Sequence, residues 1–175
     1  MIYHLQQWAL CLKHYTMMCL FASSPEHLPS SIHCIALSLI SYLLLGLLLV
    51  DGQRGYLVVV SQILLELALL ALITYAGLRL KQILSRMIQT LSALVGVNLI
   101  MTAISIVIYR LVAGDNLAAE SLSQAVIHLL LALVLWDLAV LSLVFKRAFG
   151  IGALASVMIT FNYFILYQFI IVWLY

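Results

Sequence analysis

Ile32 to Val50 is a run dominated by Ile, Leu and Ala, and it is one of five long apolar runs in the chain. At about 1.5 Å per residue, a helix of this length covers the ~30 Å hydrocarbon core of a bilayer. The other runs are Tyr56–Leu78, Ile88–Ile108, Ser123–Phe145 and Ile151–Tyr175. Their apolarity is continuous rather than alternating, and a barrel strand needs only ~9–11 residues, so no β reading competes. Composition points the same way. Of the 175 residues 66% are hydrophobic and 8% are charged, whereas an ordinary soluble domain carries about 25% charged residues. So little charge cannot cover a water-facing surface. The expected fold is an all-α polytopic membrane bundle over 32–175, with transmembrane helices at 32–50, 56–78, 88–108, 123–145 and 151–175.

Two segments precede the bundle. In residues 1–21, Leu5, Trp8, Leu12, Tyr15 and Cys19 recur at steps of three and four, with Gln6, Lys13 and His14 on the opposite side. That pattern predicts an amphipathic helix lying in the membrane interface, with Trp8 and Tyr15 at headgroup level. Residues 22–31 hold both prolines, Pro25 and Pro29, and form a linker that ends the first helix. Ser30 or Ser31 is placed to cap the next one. Cys11, Cys19 and Cys34 show no CxxC spacing and read as small apolar residues.

Basic residues in short loops set membrane orientation. With the N-terminus inside, Lys13, Arg79, Lys81, Arg86, Lys146 and Arg147 lie inside, and only Arg54 and Arg110 lie outside. The stretch Leu78–Thr90 is then an inner-face hairpin whose Arg79, Lys81 and Arg86 set the topology, with binding of anionic headgroups as the alternative role. Asp51–Gly55 is an outer turn and Val112–Leu122 an outer acidic loop. Five spans put the C-terminus in the periplasm of a bacterial inner membrane.

Ionisable groups at membrane depth cost ~2.5–3.5 kcal/mol on insertion scales. Two carboxyls incur that cost, Glu66 and Asp137, and counting at ~1.5 Å per residue brings Asn98 and Asn162 to a similar depth. Glu66, Asn98, Asp137 and Asn162 are therefore the candidate midplane polar layer. Such a layer either holds the bundle together by interhelical hydrogen bonds or binds a proton or cation.

Other chemistry is not visible. His33 and His128 fall at opposite ends of their spans and cannot share one haem iron. The N-terminal histidines His4, His14 and His27 show no metal-ligand spacing. No GxSxG, HExxH, Walker or dinucleotide motif occurs. The net charge of +2 with scattered basic residues argues against nucleic acid as a partner. The expectation is no enzyme, no cofactor and no metal. Ser92, Ala93 and Gly96, and Gly150, Gly152, Ala153 and Ala155, suit close helix approach within one molecule.

Three segments carry a family resemblance: Pro25-Glu26-His27-Leu28-Pro29, Gln89-Thr90-Leu91-Ser92-Ala93-Leu94-Val95-Gly96, and Trp136-Asp137-Leu138-Ala139-Val140-Leu141. With the five-span layout, they make the chain resemble small uncharacterised bacterial inner-membrane proteins of the YIP-type family. Eukaryotic members of that family act in vesicle traffic with Rab GTPases through a cytosolic N-terminal domain. This chain has only a short segment in that position. The resemblance implies a non-enzymatic membrane protein that organises or supports other membrane components, with lipid and another membrane protein or itself as partners. The alternative is a small ion or proton transporter or channel component using Glu66 and Asp137.

Overall fold

The computed structural model describes residues 2–48, 55–113 and 124–174, which are almost wholly helical with no strand among them. The helices are α1 (Ile2–Cys19), α2 (Ile32–Leu48), α3 (Tyr56–Leu80), α4 (Met87–Ala113), α5 (Gln124–Phe149) and α6 (Ala153–Leu174). Four of them, α3 to α6, are long and apolar enough to cross a membrane, so the chain is a multi-pass membrane protein by length and composition. The described part of α2 is apolar but has 17 residues. Asp51–Arg54 of the expected turn and Gly114–Leu122 of the expected acidic loop lie outside the described residues.

Several helix ends differ from the sequence expectation. α4 continues past Ile108 to Ala113, and α5 continues past Phe145 to Phe149. Lys146 and Arg147 thus sit inside the last turn of α5, where cations complement the helix dipole. Backbone geometry shows what stops the helices instead. Phe21 (φ 62°), Gln82 (φ 59°) and Gly150 (φ 62°) adopt the left-handed region after α1, α3 and α5. The next amide then reaches back over the last turn: Ala22 donates to the Met17 carbonyl, Ile83 to Leu78 and Ile151 to Lys146. This is the Schellman cap, normally built on glycine. Phe21 and Gln82 adopt it against a cost of ~1–2 kcal/mol for a residue with a Cβ. The prolines therefore do not end α1, which stops at Cys19. They frame a separate 3-10 turn, Pro25–His27, closed by the Leu28 amide on the Pro25 carbonyl at 3.1 Å.

α4 is the axis of the bundle. Its residues Ser92 to Leu99 are buried without a break, and α1, α2, α3 and α5 all pack on it. α6 packs on α5 and α3. Apolar helices gain little from hiding Leu from lipid, so close fit and polar links decide which faces meet. Small residues supply the fit. A Cβ on Gly96 would come within 2.3 Å of the Tyr15 ring, and one on Gly77 within 2.5 Å of the Phe149 ring. Gly152, Ala153 and Ala155 are exposed and take no part in such packing.

α1 lies across the bundle. Trp8 in its first half lines a cavity together with residues of α2 and α4, Tyr15 towards its end bonds Ser92 of α4, and the Cys19 carbonyl at its end accepts from Trp136 Nε1 of α5 at 2.9 Å. Cys11, Tyr15, Met18 and Cys19 are buried, while Lys13 and Thr16 face outward. One side of the helix is thus covered by protein, while its outer side also carries the exposed Leu10 and Met17, with Leu20 exposed just beyond its end.

Candidate functional site

Halfway along the bundle, four helices bring polar side chains to one carboxyl. Glu66 of α3 accepts from the Tyr42 hydroxyl of α2 at 2.5 Å. Its other oxygen accepts from Asn98 Nδ2 of α4 at 2.7 Å. Tyr163 of α6, 5% exposed, lies close enough to the same carboxyl for the two groups to interact. Helix periodicity explains the convergence. Glu66 and Asn98 each stand between apolar neighbours, and only one rotation of α3 and α4 hides both from lipid. Interhelical hydrogen bonds then hold that rotation.

A second ring of side chains stands one helical turn further from the α3–α4 connector. A cavity of about 210 Å³ is lined there by Tyr42, Gly46, Val59, Gln62, Ile63, Thr102 and Tyr167. Gly46 is four residues from Tyr42, Gln62 four from Glu66, Thr102 four from Asn98, and Tyr167 four from Tyr163. Residues four apart share a helix face at ~5.4 Å rise per turn. The cavity is therefore stacked directly on the carboxylate layer, on all four helices at once.

With Glu66 and Asp137 ionised, the donors and acceptors of the layer do not balance. An ionised carboxylate offers about four lone-pair sites and donates nothing. Asn98 is 4% exposed and its Oδ1 has no hydrogen-bond partner. Asp137 Oδ1 of α5 is likewise buried without a partner, and Asp137 lies near enough to Glu66 for the two carboxyls to repel. Buried polar atoms are normally satisfied, and each exception calls for an explanation. No basic side chain from the connector offsets the charge. Arg79, on the same helix as Glu66, is thirteen residues further on (79 − 66), about 20 Å of helix.

Of the residues expected in the polar layer, Glu66 and Asn98 are directly bonded, and Asp137 joins them by proximity. Asn162 does not join: it is exposed on α6, and its Nδ2 donates to the Met158 carbonyl of its own helix at 2.8 Å. The next residue, Tyr163, takes the inward position, because one step along a helix turns the side chain by ~100°. Tyr42 and Tyr163 were the residues that sequence reasoning passed over. Their signal was depth: tyrosine favours the membrane interface, yet Tyr42 stands ten residues into α2.

Two of the basic residues, Arg86 and Arg147, make contacts within the protein. Arg147 donates to the carbonyls of Ser23 and Phe21, the latter at 3.3 Å. Arg86 pairs with Glu26 at 2.6 Å, and Gln89 Nε2 donates to the Leu28 carbonyl at 3.0 Å. Together they dock the 21–28 segment onto the connector end of the bundle, under which Leu28 is buried. Arg79 stacks on Tyr75 at 5.8 Å, and Lys81 and Lys146 are exposed. Among the described residues, no cluster of three or more His, Cys, Asp or Glu side chains could hold a metal ion. His128 is exposed, with its Nδ1 2.6 Å from the Gln124 carbonyl. Cys11, Cys19 and Cys34 are free and buried, with the Cys11 and Cys34 sulfurs 2.9 Å apart. Compared with family models, curated proteins and solved structures, the chain matches none of them.

Proposed function

We propose that this chain is a non-enzymatic, five-span protein of the bacterial inner membrane that binds and releases a proton or small cation at Glu66. It acts as a small transporter or channel component. One observation carries the proposal: a carboxyl inside an apolar bundle, held by Tyr42 and Asn98, lies one helical turn from a cavity whose lining includes Tyr42, Gln62, Thr102 and Tyr167. A carboxyl needed only to join helices has no use for that cavity. The cavity leaves room for a ligand one helical turn from the carboxyl, and Asp137 provides a second carboxyl near the first. In this arrangement α2 is the first span, the N-terminus is cytoplasmic and the C-terminus periplasmic. The basic residues Arg79, Lys81, Arg86, Lys146 and Arg147, all at the connector end, support that orientation. A reporter active only outside the cell, fused after Tyr175, tests it: an active fusion is expected, and an inactive but well-expressed fusion rejects it.

The function is tested by reconstituting the protein into vesicles and following proton and monovalent-cation flux. Flux above that of empty vesicles is expected, and it falls at least tenfold in Glu66→Gln. Equal flux in the two proteins, both correctly inserted, rejects the proposal.

A role in organising other membrane components is favoured by a separate observation. Asn162 presents an amide on the exposed face of α6, and only 11% of the spanning window of that helix is buried. A polar group facing lipid is costly, and a partner helix or a second copy would satisfy it. Recovery of a stoichiometric partner from native membranes, lost in Asn162→Leu, supports this role; an unchanged partner rejects the Asn162 contact.

A further inference from the structure

The imbalance of donors and acceptors around Glu66 narrows what the cavity accepts. The layer is rich in acceptors: both Glu66 oxygens, Asn98 Oδ1 and Asp137 Oδ1, the last two buried without a partner. The ring above adds Gln62 and Thr102, which carry acceptor oxygens, and the aromatic Tyr42 and Tyr167. A matching occupant brings positive charge and several N–H donors on one atom. It also has a small apolar body to fill about 210 Å³ between tyrosine rings. A bare metal ion brings charge but no donors and leaves most of that space empty. A quaternary ammonium brings charge and apolar surface but nothing to donate. An ammonium group has three donors and no acceptor, and aromatic faces attract it.

We propose that the cavity above Glu66 is a binding site for a small protonated primary amine, whose ammonium reaches the Glu66–Asn98 layer while its carbon body lies between Tyr42 and Tyr167. This rests on the proposal that Glu66 is a cation site and names the class of cation. Gly46 belongs to the design of the wall: a Cβ there would meet the Ile63 side chain and push it from its place beside the cavity. Asn98 acts by supplying an acceptor on one edge of its amide while its other edge orients Glu66.

The test uses the full chain purified in detergent, with methylammonium as probe at constant ionic strength. Binding of radiolabelled methylammonium and the midpoint of thermal unfolding are both read. Saturable binding that raises the midpoint is expected, with tetramethylammonium and sodium competing at least tenfold more weakly. Glu66→Gln is expected to weaken binding at least tenfold. Thr102→Leu, which fills the cavity without touching the bonded layer, does the same, and it keeps the test informative if Glu66→Gln fails to fold. Absence of methylammonium binding to folded protein overturns the inference, as does equal competition by tetramethylammonium or undiminished binding in Thr102→Leu. Glu66-dependent proton flux in vesicles without methylammonium binding overturns the amine inference and leaves the cation proposal standing. Loss of both overturns both.

Discussion

Two tyrosines hold the bundle together in different ways. Tyr15 shares a hydrogen bond with Ser92 at 2.7 Å and accepts one from Ser38 at 3.2 Å, joining α1, α4 and α2. All three groups are hydroxyls, each able to donate and accept and free to rotate. Ser38 Oγ also bonds the Cys34 carbonyl at 2.9 Å, so the network runs out to the backbone and each of its three hydroxyls has a partner. Tyr42 instead donates to Glu66, a group of fixed geometry that only accepts when ionised. Its network leaves Asn98 Oδ1 and Asp137 Oδ1 unsatisfied and borders a cavity. The Tyr15 cluster is surrounded by close-packed side chains, down to the face of Gly96. Hydroxyls are thus enough to link helices here, and the carboxyls at Glu66 and Asp137 exceed what linking requires.

The largest expected effects test the structural half of this contrast. Tyr15→Ala empties a fully buried site and should destabilise the protein by ~3–5 kcal/mol, the usual range for a large aromatic truncated in a core. Thermal unfolding in detergent reads it. Gly96→Ala forces a methyl against the Tyr15 ring, and overpacking of this kind costs ~1–3 kcal/mol. Both variants, where they remain folded, should retain vesicle flux. Loss of flux in a stable Gly96→Ala protein would break the contrast, because the Tyr15 cluster would then serve function as well.

Much of this was legible in the sequence, and what was not has physical causes. Glu66, Asn98 and Asp137 stood out because each is costly in lipid. Their common depth followed from rise per residue alone. Asn162 was misplaced because depth does not give rotation, and Tyr163 beside it faces inward. The apolar face of α1 was visible as a three-and-four pattern that includes Tyr15 and Cys19. That protein covers it was not visible, because an interfacial helix and one packed across a bundle have the same periodicity. The left-handed caps at Phe21 and Gln82 were hidden because neither residue is a glycine. The docking of Arg86 and Arg147 depends on contacts 60 and 124 residues apart in sequence, which a reading by loop charge does not reach.

Tyr42→Phe sharpens the contrast from the other side. It removes a donor from Glu66 without altering the ring that packs α2 on α3. A hydrogen bond to a charged group is worth ~1.5–3 kcal/mol, so stability should fall by an amount below that of Tyr15→Ala. Flux should fall severalfold as the carboxyl loses its orientation. Tyr15→Phe is the matched control, with ~1 kcal/mol of stability lost and flux unchanged. If the two Phe variants behave alike in vesicles, the two networks do not differ in kind.

The smallest effect is expected at Glu26. Its ion pair with Arg86 at 2.6 Å is the shortest polar contact to Glu26, but the side chains are 51% and 42% exposed. Exposed pairs contribute ~0.2–1 kcal/mol and weaken with salt. Glu26→Gln should therefore shift the unfolding midpoint slightly at low salt and by still less at high salt. The 21–28 segment should stay docked, because the Leu28 side chain, Gln89 and Arg147 hold it through contacts that the substitution does not touch. Protease accessibility of the segment in inverted membrane vesicles measures this. A segment released by Glu26→Gln alone would show that the connector end, like the Glu66 layer, depends on one carboxyl. The difference between a satisfied end and an unsatisfied middle would then be lost.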